Sequence, residues 1–161
     1  MKIDYFVEET PLGNADALFR LRDKIGVEPF LLLNADVTNQ PVIAREEVSW
    51  DELNEKHRKM QTLLGRDGAY LDGIYICPHH PDKGFAGERP EYKIACDCRK
   101  PKPGLLLKAA KDFNIDLAQS YMIGDDARDV EAGQNAGVRD SLMVETNKEN
   151  GLLSLITKLL K

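Results

Sequence analysis

Three cysteines, three histidines and a cluster of aspartates are the residues of this 161-residue chain whose types and spacing point to chemistry. Cys77-x-His79 and Cys96-x-Cys98 together offer three sulfurs and one imidazole, a donor set suited to a tetrahedral zinc ion. His80, next to His79, is an alternative fourth ligand. The segment from His80 to Ala95 between the two halves has little apolar content of its own. A metal would clip that loop and offset its closure entropy. With four protein ligands the ion is structural and activates no water. His57 falls on a helical stripe with Leu53, Met60 and Leu64 and reads as a packed histidine.

A second cluster is Gly124-Asp125-Asp126-x-x-Asp129, directly after an apolar run. Carboxylates at a strand end suit Mg²⁺, which bridges one or two of them to a phosphate. The same residues also suit a helix N-cap with an acidic first turn, and both readings stand. A third stretch, Arg99-Lys100-Pro101-Lys102-Pro103-Gly104, sets cations beside prolines that stiffen it. A fixed lysine beside Mg²⁺ carboxylates suits charge stabilisation on a transferring phosphoryl group. A fourth, Thr38-Asn39, follows the apolar run FLLLNADV.

The elements that position these residues alternate between strand and helix. Lys2 to Glu8, Phe30 to Val37, Ala69 to Ile76, Ser120 to Ile123 and Ser141 to Glu145 read as strands. Helices are expected from Asn14 to about Ile25, from Ser49 to about Leu64, from Gly104 to Asn114, from Ala127 to Ala136 and from Leu152 to Leu160. Ser49-x-x-Glu52 has capping-box spacing, Gly65 and Gly68 are expected to break the second helix, and Gly137 closes the fourth. Leu106, Ala109, Ala110 and Phe113 are expected inward on the third. The alternation predicts a three-layer, Rossmann-like α/β fold with a mainly parallel sheet and one domain over residues 1–161. Ligands of such sheets bind outside the carboxyl ends of the strands, where Thr38-Asn39, Cys77 to His79 and Gly124 to Asp126 would converge.

Composition narrows the function. The net charge is −5, from 22 Lys and Arg against 27 Asp and Glu, and the basic residues are scattered. A nucleic-acid partner is therefore not expected. No apolar run has membrane-spanning length and the N-terminus shows no secretory pattern, so a cytoplasmic protein without a membrane partner is expected, monomeric or weakly homo-oligomeric.

TNQPVIAR, CPHH…CDCRKPKPG and MIGDDARDVEAGQNAG occur in this order. Together they resemble the haloacid-dehalogenase (HAD) phosphatases, in the cap-less subgroup of heptose bisphosphate and histidinol-phosphate phosphatases. The resemblance covers about residues 37–144. It implies a HAD fold without a cap domain, its substrate pocket shaped by the zinc-stapled loop, and hydrolysis of a small sugar phosphate of the D-glycero-D-manno-heptose 1,7-bisphosphate kind. By matching positions it implies that Thr38 and Asn39 bind the transferring phosphate, that Lys100 neutralises charge there and that Arg99 contacts substrate. It implies that Asp125 binds Mg²⁺ with support from Asp126 and Asp129, and that Cys77, His79, Cys96 and Cys98 hold the zinc.

The family's Asp-x-Asp-Gly-Thr motif, whose first Asp attacks phosphorus, is not found in this sequence. Glu8 and Glu9 are the carboxylates nearest the expected place. Val42 and Glu46 stand where the family pattern has glycines. The first 37 residues, YFVEETPLGNADAL…PFLLLNADV among them, resemble an internal piece of a sugar-1-phosphate nucleotidyltransferase. A two-enzyme chain that lost its middle near Val37 would account for that junction, the borrowed strand–helix–strand completing the sheet ahead of the phosphatase-like residues 38–161. Two functions follow: a phosphatase, or a non-catalytic remnant that binds zinc, Mg²⁺ and an anion.

Overall fold

The computed structural model describes residues 37–66, 71–82, 88–144 and 151–159. The expected strand from Lys2, the helix from Asn14, nearly all of the strand from Phe30, and Glu8 and Glu9 lie outside the described residues. Among the described residues, strands β1 (Val37–Asn39) and β2 (Tyr75–Cys77) pair in parallel, Val37 opposite Tyr75 and Asn39 opposite Cys77. Strands β3 (Tyr121–Gly124) and β4 (Asp140–Met143) form a second parallel pair, Tyr121 opposite Asp140 and Gly124 opposite Met143. Parallel partners need crossover connections, and helices supply them. Helices α1 (Pro41–Ala44) and α2 (Trp50–Arg66) lie between β1 and β2, and α4 (Ala127–Ala136) between β3 and β4, while α3 (Gly104–Phe113) links the two pairs and α5 (Gly151–Leu159) follows β4.

One apolar core joins both strand pairs: Val37 of β1, Cys77 of β2, Leu105 and Leu106 of α3, Met122 of β3 and Ala132 of α4. Both strand pairs therefore belong to one packed unit, and the loops at their carboxyl ends share one neighbourhood.

The helix boundaries follow their local signals. Ser49 and Glu52 form the expected capping box, Ser49 N donating to Glu52 Oε2 at 2.8 Å and Glu52 N to Ser49 Oγ at 3.2 Å. Gly137 closes α4 in the left-handed region at φ 78°. Four expectations are corrected. Thr38 and Asn39 lie within β1 and do not follow it. Among the described residues of the third expected strand, only Tyr75 and Ile76 are strand, running on to Cys77; Leu71, expected in it, is tied instead to α2, its O accepting from Gln61 Nε2 at 3.2 Å and its N donating to Gln61 Oε1 at 3.4 Å. Helix α2 runs through Gly65 to Arg66. Phe113 is 47% exposed, because the buried face of α3 is Leu105, Leu106 and Ala109; its ring meets Tyr75 edge-on. No described helix is long and apolar enough to cross a membrane.

Candidate active site and metal centre

The Cys/His cluster assembles from two loops. Cys77 ends β2, and His79 follows two residues later. The Cys96–Cys98 half is brought across by backbone bonds from the intervening loop: His80 N to Tyr92 O at 3.0 Å and Arg89 N to Ala44 O at 2.9 Å. The Trp50 indole N–H donates to the Tyr92 hydroxyl at 2.8 Å, so the start of α2 also braces this loop. Cys77 Sγ lies 3.5 Å from Cys96 Sγ and 3.1 Å from Cys98 Sγ, and Cys96 and Cys98 are 3.2 Å apart. His79 Nδ1 stands 3.6 Å from Cys77 Sγ and 3.2 Å from Cys98 Sγ.

A tetrahedron with bonds of about 2.3 Å has edges near 3.7 Å, so this set fits one tetrahedral ion with small adjustment. His79 is the histidine of the cluster. His80 is buried nearby, its Nδ1 3.3 Å from Asp82 O and 3.5 Å from Lys93 Nζ. Burial pushes the Cys77 thiol well above its ordinary value, and the Cys98 contact adds to that. Burial also raises Cys98. At Cys96 burial pushes up too, but hydrogen bonds from Cys98 and Cys77 outweigh it and the net shift is downward. Three sulfurs this close, one of them fully buried, need a cation before all can be thiolates.

Two residues beyond Cys98, Lys100 is 6% exposed. Its ammonium donates to Val37 O at 2.7 Å and pairs with Asp129 Oδ1 at 2.6 Å. Asp129, 3% exposed, uses Oδ2 to accept from Asp125 N at 3.2 Å and Asp126 N at 3.1 Å. Gly124 makes this possible: a β-carbon there would collide with the Asp129 side chain. The buried lysine is thus tied through Asp129 to the β3–α4 turn and directly to β1.

The expected site residues fall into two groups. Lys100, Asp129 and the turn at Asp125 and Asp126 are brought together, and Thr38 and Asn39 stand on the strand whose Val37 carbonyl receives the lysine. Asp125 is exposed. Asp126 has other partners: it caps α4, its Oδ1 accepting from Arg128 N and Nε at 2.8 Å and its Oδ2 from the Arg128 terminal nitrogen at 2.8 Å. Those Arg128 bonds hold its carboxyl far below the usual carboxylate range. Arg99 donates to His79 O at 2.9 Å, which ties the residue before Lys100 to the metal loop. Thr38 Oγ1 accepts from Gln40 Nε2 at 3.2 Å.

The part played by Asp129 was only partly legible in the sequence. Its spacing from Asp126 signalled a cap, while the lysine it neutralises comes from another loop.

The parallel strands and their helices give an α/β fold, with a buried lysine–aspartate pair at the strand ends and, beside it, a Cys/His group able to hold a metal ion. A HAD-hydrolase-like family model matches residues 97–153. The chain is 44% identical over 137 residues to the D-glycero-beta-D-manno-heptose-1,7-bisphosphate 7-phosphatase of Haemophilus ducreyi, covering 84% of this chain and 69% of that protein. It is 42% identical over 112 residues to the protein of the same name from Escherichia coli K12, covering 70% of this chain and 56% of that protein. A crystal structure of D,D-heptose 1.7-bisphosphate phosphatase from B. bronchiseptica, complexed with magnesium and phosphate, superposes with a TM-score of 0.70 at 29% identity, over 94% of this chain and 83% of that one. A HAD-like phosphatase structure from Mesorhizobium loti shares the fold, with a TM-score of 0.74 at 24% identity over 90% of this chain and 72% of that one. The chain belongs to the HAD phosphatases.

Proposed function

We propose that this protein is a Mg²⁺-dependent phosphomonoester hydrolase acting on a small sugar phosphate of the heptose 1,7-bisphosphate class. The observation that carries it is Lys100, buried and held between Val37 O and Asp129 beside an exposed aspartate. A buried, oriented ammonium is suited to neutralising charge on a phosphoryl group, and costs little reorganisation when that charge develops. The names of the similar proteins supply the substrate class.

In this reading Thr38 offers its hydroxyl to the phosphate, and Arg99 offers the sugar phosphate the guanidinium nitrogens beyond the one that holds His79 O. Asp125 is the protein ligand for Mg²⁺, which supplies charge neutralisation on the phosphoryl oxygens when bound. Asp126 serves the cap and orients the turn that carries Asp125. The ion held by Cys77, His79, Cys96 and Cys98 is Zn²⁺, and it fixes the loop that presents Arg99 and Lys100. The attacking carboxylate is sought in residues 1–36, with Glu8 and Glu9 as the first residues to substitute. Nothing in the comparisons favours the non-catalytic reading.

The test is phosphate release from a panel of sugar phosphates and bisphosphates with Mg²⁺, with Asp125→Asn, Glu8→Gln and Glu9→Gln run alongside. Turnover that falls by about a hundredfold or more in Asp125→Asn supports the assignment. No release from any substrate by metal-loaded protein overturns the phosphatase reading. Turnover unchanged in both glutamate variants removes them as nucleophiles.

A further inference from the structure

The family resemblance assigns both Thr38 and Asn39 to the phosphate, and the register of β1 separates them. Consecutive residues of a strand point to opposite faces. Val37 is fully buried in the core, so Asn39 shares its face while Thr38 and Gln40 share the other. The Thr38–Gln40 side-chain bond is consistent with that division.

On its own face, the Asn39 amide is already engaged. Its Nδ2 donates to Lys100 O at 3.1 Å, and its Oδ1 accepts from Lys100 N at 3.0 Å. These two bonds grip both polar groups of one residue, 61 positions away, as a strand would grip a neighbour in a sheet. Val37 uses the same region of β1: its carbonyl receives the lysine's ammonium. The backbone beside it turns the other way, Gln40 N reaching Cys77 O of β2 at 2.8 Å. Lys100 is therefore held to β1 at both ends, by Asn39 at its backbone and by Val37 at its Nζ. Without the first hold, the loop between Cys98 and α3 would have to fix a long, flexible side chain from its tip alone.

We infer that Asn39 is a positioning residue for Lys100 and not a ligand of the phosphate. Its amide fixes the backbone from which the lysine reaches the site, so it acts on the anion only through Lys100. The catalytic meaning of this role rests on the phosphatase reading; the bonds themselves do not.

Two measurements test it. Residue-resolved amide hydrogen exchange on metal-loaded protein should show the Lys100 amide exchanging about fivefold faster or more in Asn39→Ala, with the Ala132 amide as a control for global stability. The second is calorimetric binding of inorganic phosphate with Mg²⁺ to Asn39→Ala, Lys100→Met and the double variant. A residue acting through Lys100 weakens binding in the native background and adds no further loss once Lys100 is gone. Unchanged exchange at Lys100 in Asn39→Ala overturns the inference, as does an additive loss of phosphate binding in the double variant. Absence of turnover would count against the phosphatase reading alone, since the exchange result does not depend on it.

Discussion

Cys77, His79, Cys96 and Cys98 crowd three sulfurs and one imidazole nitrogen together, whereas Lys100, two residues beyond Cys98, is buried against an opposite charge at 2.6 Å. The first cluster is electrostatically incomplete: three sulfurs within 3.5 Å of one another cannot all ionise without a cation among them. The second is complete within the protein, since Asp129 neutralises Lys100 and the turn amides satisfy the carboxylate's other oxygen. The thiol–imidazole group and the charge pair, joined through the segment from Cys98 to Lys100, therefore differ in what they need from outside. The thiol cluster needs a cation before all of its sulfurs can ionise. The lysine depends on its neighbours.

The largest break in that contrast is at the metal. Cys98→Ser is expected to abolish stoichiometric zinc and to unfold the loop, since a structural zinc site supplies on the order of 10 kcal/mol. Metal content per chain and a thermal melt check it. The cluster's pH dependence has a definite sign. Burial holds the Cys77 proton more tightly than an ordinary thiol does, and metal binding must release it. Affinity should therefore rise with pH and fall on acidification, measured by competition with a chromophoric chelator.

The next break is on the other side. Asp129→Asn leaves Lys100 buried with no counter-charge, at an expected cost of about 3–5 kcal/mol in urea denaturation. Lys100→Met added to it should recover much of that loss. A cost below about 1 kcal/mol for Asp129→Asn would mean that the pair is not what holds the lysine.

Two smaller changes sharpen the surroundings. Asp126→Ala removes the cap of α4 and should cost about 1 kcal/mol at neutral pH. Its carboxyl lies far below the ordinary value when folded, so the stabilisation is present above the unfolded value of about 3.9 and is lost as pH falls through the folded one. The difference between native and variant stability should then shrink in acid, seen in urea melts from pH 7 down to about pH 2. Glu46 sits in the left-handed region at φ 56°, where the family pattern has glycine. Glu46→Gly should relieve strain, offset by greater unfolded-state entropy and loss of the 3.3 Å Arg89 pair, for a net gain of about 0.5 kcal/mol in the same melts.

Some parts of this molecule were legible before any coordinates, and the reason is locality. The caps at Ser49 and Asp126 and the closing Gly137 are local patterns set by backbone groups within a few residues. The candidate metal ligands are two short Cys/His pairs whose shared chemistry marks them at any separation. Phe113 and the shortened strand at Tyr75 were misread because periodicity alone does not tell which neighbour competes for a side chain or a backbone group. Gln61 took the backbone of Leu71, and no spacing within the strand announces that.

The sequence by itself therefore determined which atoms can bind a metal and where α4 begins and ends, because those properties belong to residue types and to neighbours along the chain. The tertiary structure decided that Asp129 pairs with Lys100 and that the Asn39 side chain meets the Lys100 backbone, and it seats His79 rather than His80 among the thiols. Each of those outcomes depends on strand register and on which loops meet over the shared core. A shift of one residue in β1 would turn Asn39 to the opposite face and release Lys100, although every side chain would be the same.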